Sequence, residues 1–165
     1  MDDVLSTLSA RVGECLASRG WRLACAESCT GGWIAEVVTA TAGSSAWFDC
    51  GFVTYSNTAK QDLLGVPGTT LEQFGAVSEA TVAAMVAGAL GASRAEVALA
   101  VSGIAGPGGA MPGKRVGTVC FAWSRRDTAA ITQTRHFPGD REAVRRAAVV
   151  YALSELVRHI RAADN

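Results

Sequence analysis

The sequence has neither an excess of charge nor a long apolar segment. Its 15 Lys and Arg residues balance 15 Asp and Glu residues, so the formal net charge is zero. A balanced charge gives no electrostatic basis for nucleic acid or an anionic membrane as the main partner. No apolar run reaches the roughly 18–20 residues of a membrane-spanning helix. The acidic N-terminus, Met-Asp-Asp-Val, does not resemble a signal peptide, so we expect a cytoplasmic protein.

The chain also lacks the residue patterns of a metal site. Its two histidines, His136 and His159, are not spaced to complete a ligand set. Five cysteines are present and none forms a C-x-x-C pair: Cys15, Cys25, Cys29, Cys50 and Cys120. The odd number predicts reduced, packed thiols, and we expect neither a metal nor a cofactor.

The composition is that of a compact fold. Hydrophobic residues make up 49% and charged residues 18% of the 165 residues, which excludes a disordered chain. This length favours a single domain over residues 1–165. Periodicity predicts helices over 2–19, 32–40, a short stretch after Ser56-Asn57, 79–90 and 141–162, with strands over 21–26, 48–55, 96–101, 116–123 and 129–137. Early alternation of strand and helix followed by a late hairpin predicts an α/β fold, a three-layer α/β/α sandwich with a mixed β-sheet.

The segment Ala26-Glu27-Ser28-Cys29-Thr30-Gly31-Gly32 links a buried strand to a helix through a tight turn. Two glycines allow backbone N–H groups to converge near a helix N-terminus, which suits a phosphate or an acyl-transfer oxyanion. Ser28 is then either a nucleophile or an ordinary helix N-cap. Cys29 is the rival nucleophile, because a thiol at the same turn can have a lowered pKa.

A serine nucleophile needs a base, and neither histidine is marked by a glycine turn. Lys60 can serve if burial lowers its pKa toward neutrality, although an isolated lysine is more often simply solvated. A third segment, Ser102–Gly109, is rich in glycine but matches neither the dinucleotide fingerprint nor a P-loop. Taken alone, it is equally compatible with a structural turn.

Several motifs together, in this order, closely resemble the CinA C-terminal domain family over residues 5–160. They are Ala26–Gly32, Gly51–Asn57 with Lys60, Gly75–Ser78, Ser102–Gly109, Gly117–Val119 and Phe137–Arg141. Characterised members include bacterial nicotinamide mononucleotide (NMN) deamidases. The resemblance implies an amidohydrolase that converts NMN and water to nicotinic acid mononucleotide and ammonia.

By motif position, the resemblance implies Ser28 as nucleophile and Lys60 as base and later acid. Tyr55 is implied as a third polar group that orients Lys60 or the substrate. The remaining implied substrate-binding positions are Thr30, Gly31 and Gly32 for the oxyanion, Asn57, Ser102, Gly103, Ala105, Gly106 and Gly108 for the nucleotide, and Arg141 for the 5′-phosphate. Arg141 is alternatively a surface arginine in the first turn of a helix.

Two positions depart from the family pattern: Arg115 stands where proline is usual, and Ser102 where threonine is common. The chain also lacks the N-terminal domain of fused members, so we expect a stand-alone form. A homodimer or higher homo-oligomer is expected from the resemblance and from the alanine-rich helix 79–90. Two alternatives stay open: a non-catalytic nucleotide-binding or interaction module linked to competence, and an amidase for another small amide.

Overall fold

The computed structural model describes residues 1–164, which form five strands, six α-helices and a short 3₁₀-helix, Ser44–Ala46. The strands are β1 (Leu23–Glu27), β2 (Phe48–Val53), β3 (Val97–Gly103), β4 (Thr118–Arg125) and β5 (Ile131–His136). The α-helices are α1 (Asp3–Ala17), α2 (Trp33–Thr39), α3 (Asn57–Leu64), α4 (Gly68–Phe74), α5 (Glu79–Gly91) and α6 (Arg141–Ala162).

The strands form one mixed sheet in the order β2-β1-β3-β4-β5. β1 pairs in parallel with both β2 and β3, whereas β4 is antiparallel to β3 and β5. The carboxyl ends of β1, β2 and β3 therefore meet at one edge, with β1 in the centre. In open α/β sheets ligands bind at this edge, where the strand order reverses.

Each buried strand presents large side chains to one face of the sheet and small ones to the other. In β3, Val97, Leu99 and Val101 contribute to the core beneath α1, α2 and α6. Ala98 and Ala100 contribute to the core beneath α3, α4 and α5. The two cores confirm the three-layer sandwich that the sequence predicts.

The small residues of α5 are used in packing within the chain. α5 lies against β3 and β4, and its Gly88 lies so close to α3 that an added Cβ would be 1.9 Å from the Leu64 carbonyl oxygen. No side chain larger than hydrogen fits there. The alanine-rich character of α5 therefore follows from contacts with the sheet and α3, and does not require a second chain.

Most element boundaries agree with the periodicity to within two or three residues. The segment 70–75, in which the sequence indicates one helical turn, belongs to a helix over Gly68–Phe74. The strand expected from Val116 begins at Thr118. Gly117 has φ +92°, a left-handed conformation that ends the preceding loop just before β4. Within residues 1–164, no helix is both long and apolar enough to cross a membrane.

Candidate active site

Three chain segments meet at the carboxyl edge of the parallel strands. Ser28 directly follows β1, Tyr55 is the second residue after β2, and Ser102 and Gly103 end β3. Together with neighbouring residues they line a cleft of about 200 Å³. Of the residues that the sequence predicts, this cleft brings together Ser28, Tyr55, Lys60, Ser102, Gly103, Ala105 and Arg141.

Lys60 lies at the base of this cleft, in α3, and is only 1% exposed. Its Nζ is 3.0 Å from Ser28 Oγ and 2.8 Å from the carbonyl oxygen of Thr54. Burial lowers the pKa of Lys60 from its ordinary value near 10.5, because the charged form loses hydration. The cleft therefore holds a lysine that loses its proton more readily than a solvated lysine does, in direct contact with a serine hydroxyl.

Ser28 is not the cap of α2, so the N-cap interpretation is wrong. That role belongs to the adjacent Glu27, whose fully buried carboxylate accepts hydrogen bonds from the amides of Ile34 at 2.9 Å and Ala35 at 3.1 Å. The amide of Ser28 donates to the carbonyl of Val101 in β3, at 3.0 Å. The nucleophile candidate is thereby fixed to the sheet, while its hydroxyl is left for Lys60.

The turn after Ser28 contains the three amides that the sequence assigns to an oxyanion. The Gly31 amide donates to the Ser28 carbonyl at 3.0 Å and so closes the turn. The amides of Cys29, Thr30 and Gly32 donate to no acceptor among the described residues. Of the predicted donors, Gly31 is thus occupied, whereas Thr30 and Gly32 are available, together with Cys29.

The Cys29 side chain is packed in the core with only 6% of the residue exposed. Burial raises the pKa of its thiol to about 12. A thiol with such a pKa carries almost no thiolate at neutral pH, and the thiolate is the nucleophilic form. Cys29 therefore offers almost no nucleophilic thiolate, whereas the hydroxyl of Ser28 contacts Lys60 Nζ.

Tyr55 and Arg141 form a hydrogen-bonded pair at the rim of the cleft. Arg141 Nη2 donates to the Tyr55 hydroxyl at 3.0 Å, and Nη1 donates to the Gly106 carbonyl at 2.8 Å. Tyr55 is 62% exposed, and its hydroxyl does not contact Lys60. The carbonyl of Thr54, and not the hydroxyl of Tyr55, accepts the hydrogen bond that orients Lys60.

The other predicted residues lie outside this cleft. Thr30, Gly31 and Gly32 line a neighbouring cleft of about 510 Å³, which shares Arg141 with the first. Asn57 is exposed in the first turn of α3, and Gly108 is exposed in the loop after β3. Within residues 1–164, neither side chain forms a hydrogen bond with Ser28 or Lys60.

Two groups at the site were not identified from the sequence, the Thr54 carbonyl and the guanidinium of Arg145, and the sequence does not decide between a structural and a catalytic role for Glu27. Arg145 donates to the carbonyls of Cys29 at 3.0 Å and Thr30 at 3.1 Å. It lies more than a hundred residues from Ser28 along the chain, so no local spacing indicates this contact. For Glu27, the only signal is an acidic residue directly before a turn that leads into a helix.

A buried lysine against a serine hydroxyl, beside unpaired backbone amides, has the components of a hydrolase site that uses a serine nucleophile. The chain belongs to the CinA C-terminal domain family, whose model matches residues 5–160. It is 54% identical to the nicotinamide-nucleotide amidohydrolase PncC of Enterobacter agglomerans, over 93% of this chain and 94% of that protein. It is equally 54% identical to the protein of that name from Escherichia coli K12, over 94% of each.

A solved structure supports the same assignment. A CinA superfamily protein from Klebsiella pneumoniae superposes with a TM-score of 0.91 at 44% identity, covering 94% of this chain and 97% of that one. This agreement confirms the family resemblance that the motifs indicate.

Proposed function

We propose that this chain is an amidohydrolase that converts NMN to nicotinic acid mononucleotide and ammonia. Two relatives of nearly the same length carry the name nicotinamide-nucleotide amidohydrolase at 54% identity. The observation that carries the proposal is the 3.0 Å contact between Lys60 Nζ and Ser28 Oγ in a buried position.

In the first step, neutral Lys60 removes the proton of Ser28 as the oxygen attacks the carboxamide carbon. A neutral amine has two N–H groups and one lone pair. The contact with the Thr54 carbonyl engages one N–H, and this leaves the lone pair free to accept from Ser28. Thr54 thus holds the base in the orientation that proton transfer requires.

The resulting tetrahedral intermediate carries negative charge on the former carboxamide oxygen. We assign its stabilisation to backbone amides of the turn, with Cys29 and Thr30 nearest in sequence to the nucleophile. Protonated Lys60 then donates its proton to the departing nitrogen, which leaves as ammonia. Breaking of the C–N bond leaves the acyl group as an ester on Ser28. Lys60 takes a proton from water as the water attacks this ester, and it returns the proton to the Ser28 oxygen as the ester bond breaks and the carboxylate product leaves.

The nucleotide part of the substrate is assigned to the rim of the cleft. Arg141 is our candidate for the 5′-phosphate, because its planar guanidinium suits bidentate phosphate contacts. Its present partners, the Tyr55 hydroxyl and the Gly106 carbonyl, hold it between the two clefts. The exposed ring of Tyr55 offers an apolar surface to the substrate.

A non-catalytic binding function does not explain why Lys60 is buried. Burying a lysine beside one hydroxyl and one carbonyl, with no carboxylate within ion-pairing distance among residues 1–164, costs stability. Such costs are typical of sites where a perturbed pKa serves chemistry. An amidase for a different small amide would use the same groups, and only substrate comparison separates it from our proposal.

The proposal is tested by incubating the purified chain with NMN and measuring ammonia and nicotinic acid mononucleotide. We expect equal amounts of both products. Parallel incubations with nicotinamide and nicotinamide riboside test the need for the phosphate. Release of ammonia only from an amide without the phosphate would indicate the alternative amidase, and no release from any of them would indicate a binding module.

A further inference from the structure

Arg145 projects from α6 onto the two peptide groups that follow Ser28. Its Nε is 3.0 Å from the Cys29 carbonyl oxygen, and its Nη2 is 3.1 Å from that of Thr30. The guanidinium also lies over the ring of Trp33, 5.3 Å from the ring centroid. Two hydrogen bonds and one stacking contact therefore fix its position.

A hydrogen bond to a carbonyl fixes the direction of the N–H on the opposite side of the same planar peptide. The peptide with the Cys29 carbonyl carries the Thr30 amide, which donates to no acceptor in residues 1–164. The peptide with the Thr30 carbonyl carries the Gly31 amide, which closes the turn onto the Ser28 carbonyl. Arg145 thus fixes one free amide and one turn-closing amide, both directly after the nucleophile.

The charge of Arg145 acts on these same peptides. Within the described part of the chain, no carboxylate lies within 4.0 Å of its guanidinium nitrogens. Its positive charge therefore interacts directly with the two carbonyl oxygens. A charged donor at a carbonyl polarises the peptide and makes its N–H a stronger donor.

We propose that Arg145 is a positioning residue that orients and polarises the Thr30 amide as a donor to the oxyanion. This inference rests on the proposed amidohydrolase function. It assigns to Arg145 a role in the transition state and none in holding the ground-state substrate. Loss of Arg145 should accordingly lower kcat and leave KM nearly unchanged.

The test compares Arg145→Ala and Arg145→Lys with the wild-type chain in NMN hydrolysis. We expect kcat to fall about a hundredfold for Arg145→Ala, as for loss of one oxyanion donor, with KM within about threefold. Arg145→Lys should retain more activity, because an ammonium can donate to one of the two carbonyls. Arg146→Ala is the matched control, because the half-buried Arg146 contacts Asp2, away from the Ser28 turn, and the variant should keep full activity.

Added guanidinium provides a second readout. Arg145 borders an open cleft of about 510 Å³, so a guanidinium ion can reach the space left in Arg145→Ala. We expect guanidinium, below the concentrations that unfold the protein, to raise kcat of Arg145→Ala and not of Arg146→Ala. A purely structural loss would not be restored in this way.

These experiments distinguish a failure of the proposed function from a failure of the role assigned to Arg145. If the wild-type chain releases no ammonia from NMN, the proposed function is wrong and the role of Arg145 is wrong with it. If the wild-type chain is active and both Arg145 variants keep kcat within about threefold, only the positioning role is wrong. A rise in KM at unchanged kcat would likewise overturn it and make Arg145 a substrate-binding residue.

Discussion

At the level of single residues, Lys60 is the group whose environment is hardest to explain by stability. It is 1% exposed, and its polar contacts within residues 1–164 are a hydroxyl and a carbonyl, neither of which neutralises a positive charge. Methionine has a similar length and requires no hydrogen-bond partner. A protein selected for stability alone has no use for a lysine in this position.

The first prediction follows from the burial of Lys60 without a partner that neutralises its charge. Lys60→Met should lower kcat at least about a thousandfold, because the base is lost. It should leave the free energy of unfolding unchanged or raise it by about 1 kcal/mol or more. Steady-state kinetics and urea unfolding of the same preparation measure both quantities. A variant that loses activity only because it unfolds would contradict the assigned role.

The lowered pKa of Lys60 also makes its effect on stability depend on pH. Between the folded pKa and the ordinary value near 10.5, the unfolded chain binds more protons, so stability increases with pH in this window. The cost of burying Lys60 is complete below the folded pKa and disappears as pH approaches 10.5. The stability advantage of Lys60→Met should therefore shrink as pH rises.

The second prediction concerns the pH dependence of activity. Lys60 accepts a proton only when it is neutral, so kcat/KM should rise with pH through its lowered pKa and then level off. Measurement of kcat/KM over mildly acidic to alkaline pH, at constant ionic strength, checks this. A profile that is flat across that range, with chemistry limiting the rate, would count against Lys60 as the base.

At the level of elements, the turn after β1 depends on the capping of α2. Both oxygens of the Glu27 carboxylate are bonded to amides of the first turn of α2, in a fully buried position. A negative charge is favourable at a helix N-terminus. This contact fixes the start of α2 relative to β1, and so fixes both ends of the Ser28 turn.

The third prediction is that Glu27→Ala lowers the free energy of unfolding by about 3 kcal/mol, because two buried amides lose a charged acceptor. Glu27→Gln should lie between the wild-type chain and Glu27→Ala. Urea unfolding measures the difference. Glu36→Ala, on the exposed side of the same helix, is the control and should change stability by about 0.5 kcal/mol or less. Equal effects at both positions would show that Glu27 is not the cap.

The fourth prediction concerns the contact between α3, which carries Lys60, and α5. Gly88→Ala should lower stability by about 2 kcal/mol, because its Cβ would overlap the Leu64 carbonyl and displace α3. Gly91→Ala, in the same helix with nothing within 4 Å of the added carbon, should raise stability by up to about 1 kcal/mol. Thermal unfolding separates the two.

The Gly88→Ala and Gly91→Ala variants should also differ in activity. Displacement of α3 moves Lys60 away from Ser28, so Gly88→Ala should also lose about tenfold in kcat at a temperature where it is folded. Gly91→Ala should keep the wild-type kcat. If both variants keep full activity, the position of α3 is not set by the contact at Gly88.

At the level of the whole molecule, the alternation of strands and helices was enough to predict the sandwich and its mixed sheet. The segment 96–101 is almost wholly apolar, which is typical of a central strand buried on both faces, and β3 has a neighbour on each side. The periodicity of apolar residues reflects which side chains are buried, and in this fold the buried positions follow a regular pattern. The expected self-association remains a prediction from the resemblance, since the small residues of α5 are accounted for within the chain.

The contacts that complete the site could not be predicted in the same way. Ser28 and Lys60 lie 32 residues apart, and they meet only because β1 and β2 are parallel neighbours. The Thr54 carbonyl and the Arg145 guanidinium act through tertiary geometry, with no spacing that a sequence pattern records. Residue type indicated which chemistry was permitted, and the sheet topology decided which groups meet.

The central claim is that Ser28 is the nucleophile, and the most direct measurement compares the kcat of Ser28→Ala and Cys29→Ser in NMN hydrolysis. We expect the kcat of Ser28→Ala to fall at least about a thousandfold, whereas that of Cys29→Ser should stay within about threefold of the wild-type value. Both variants should remain folded by circular dichroism. An active Ser28→Ala together with an inactive, folded Cys29→Ser would contradict the account and assign the reaction to the cysteine.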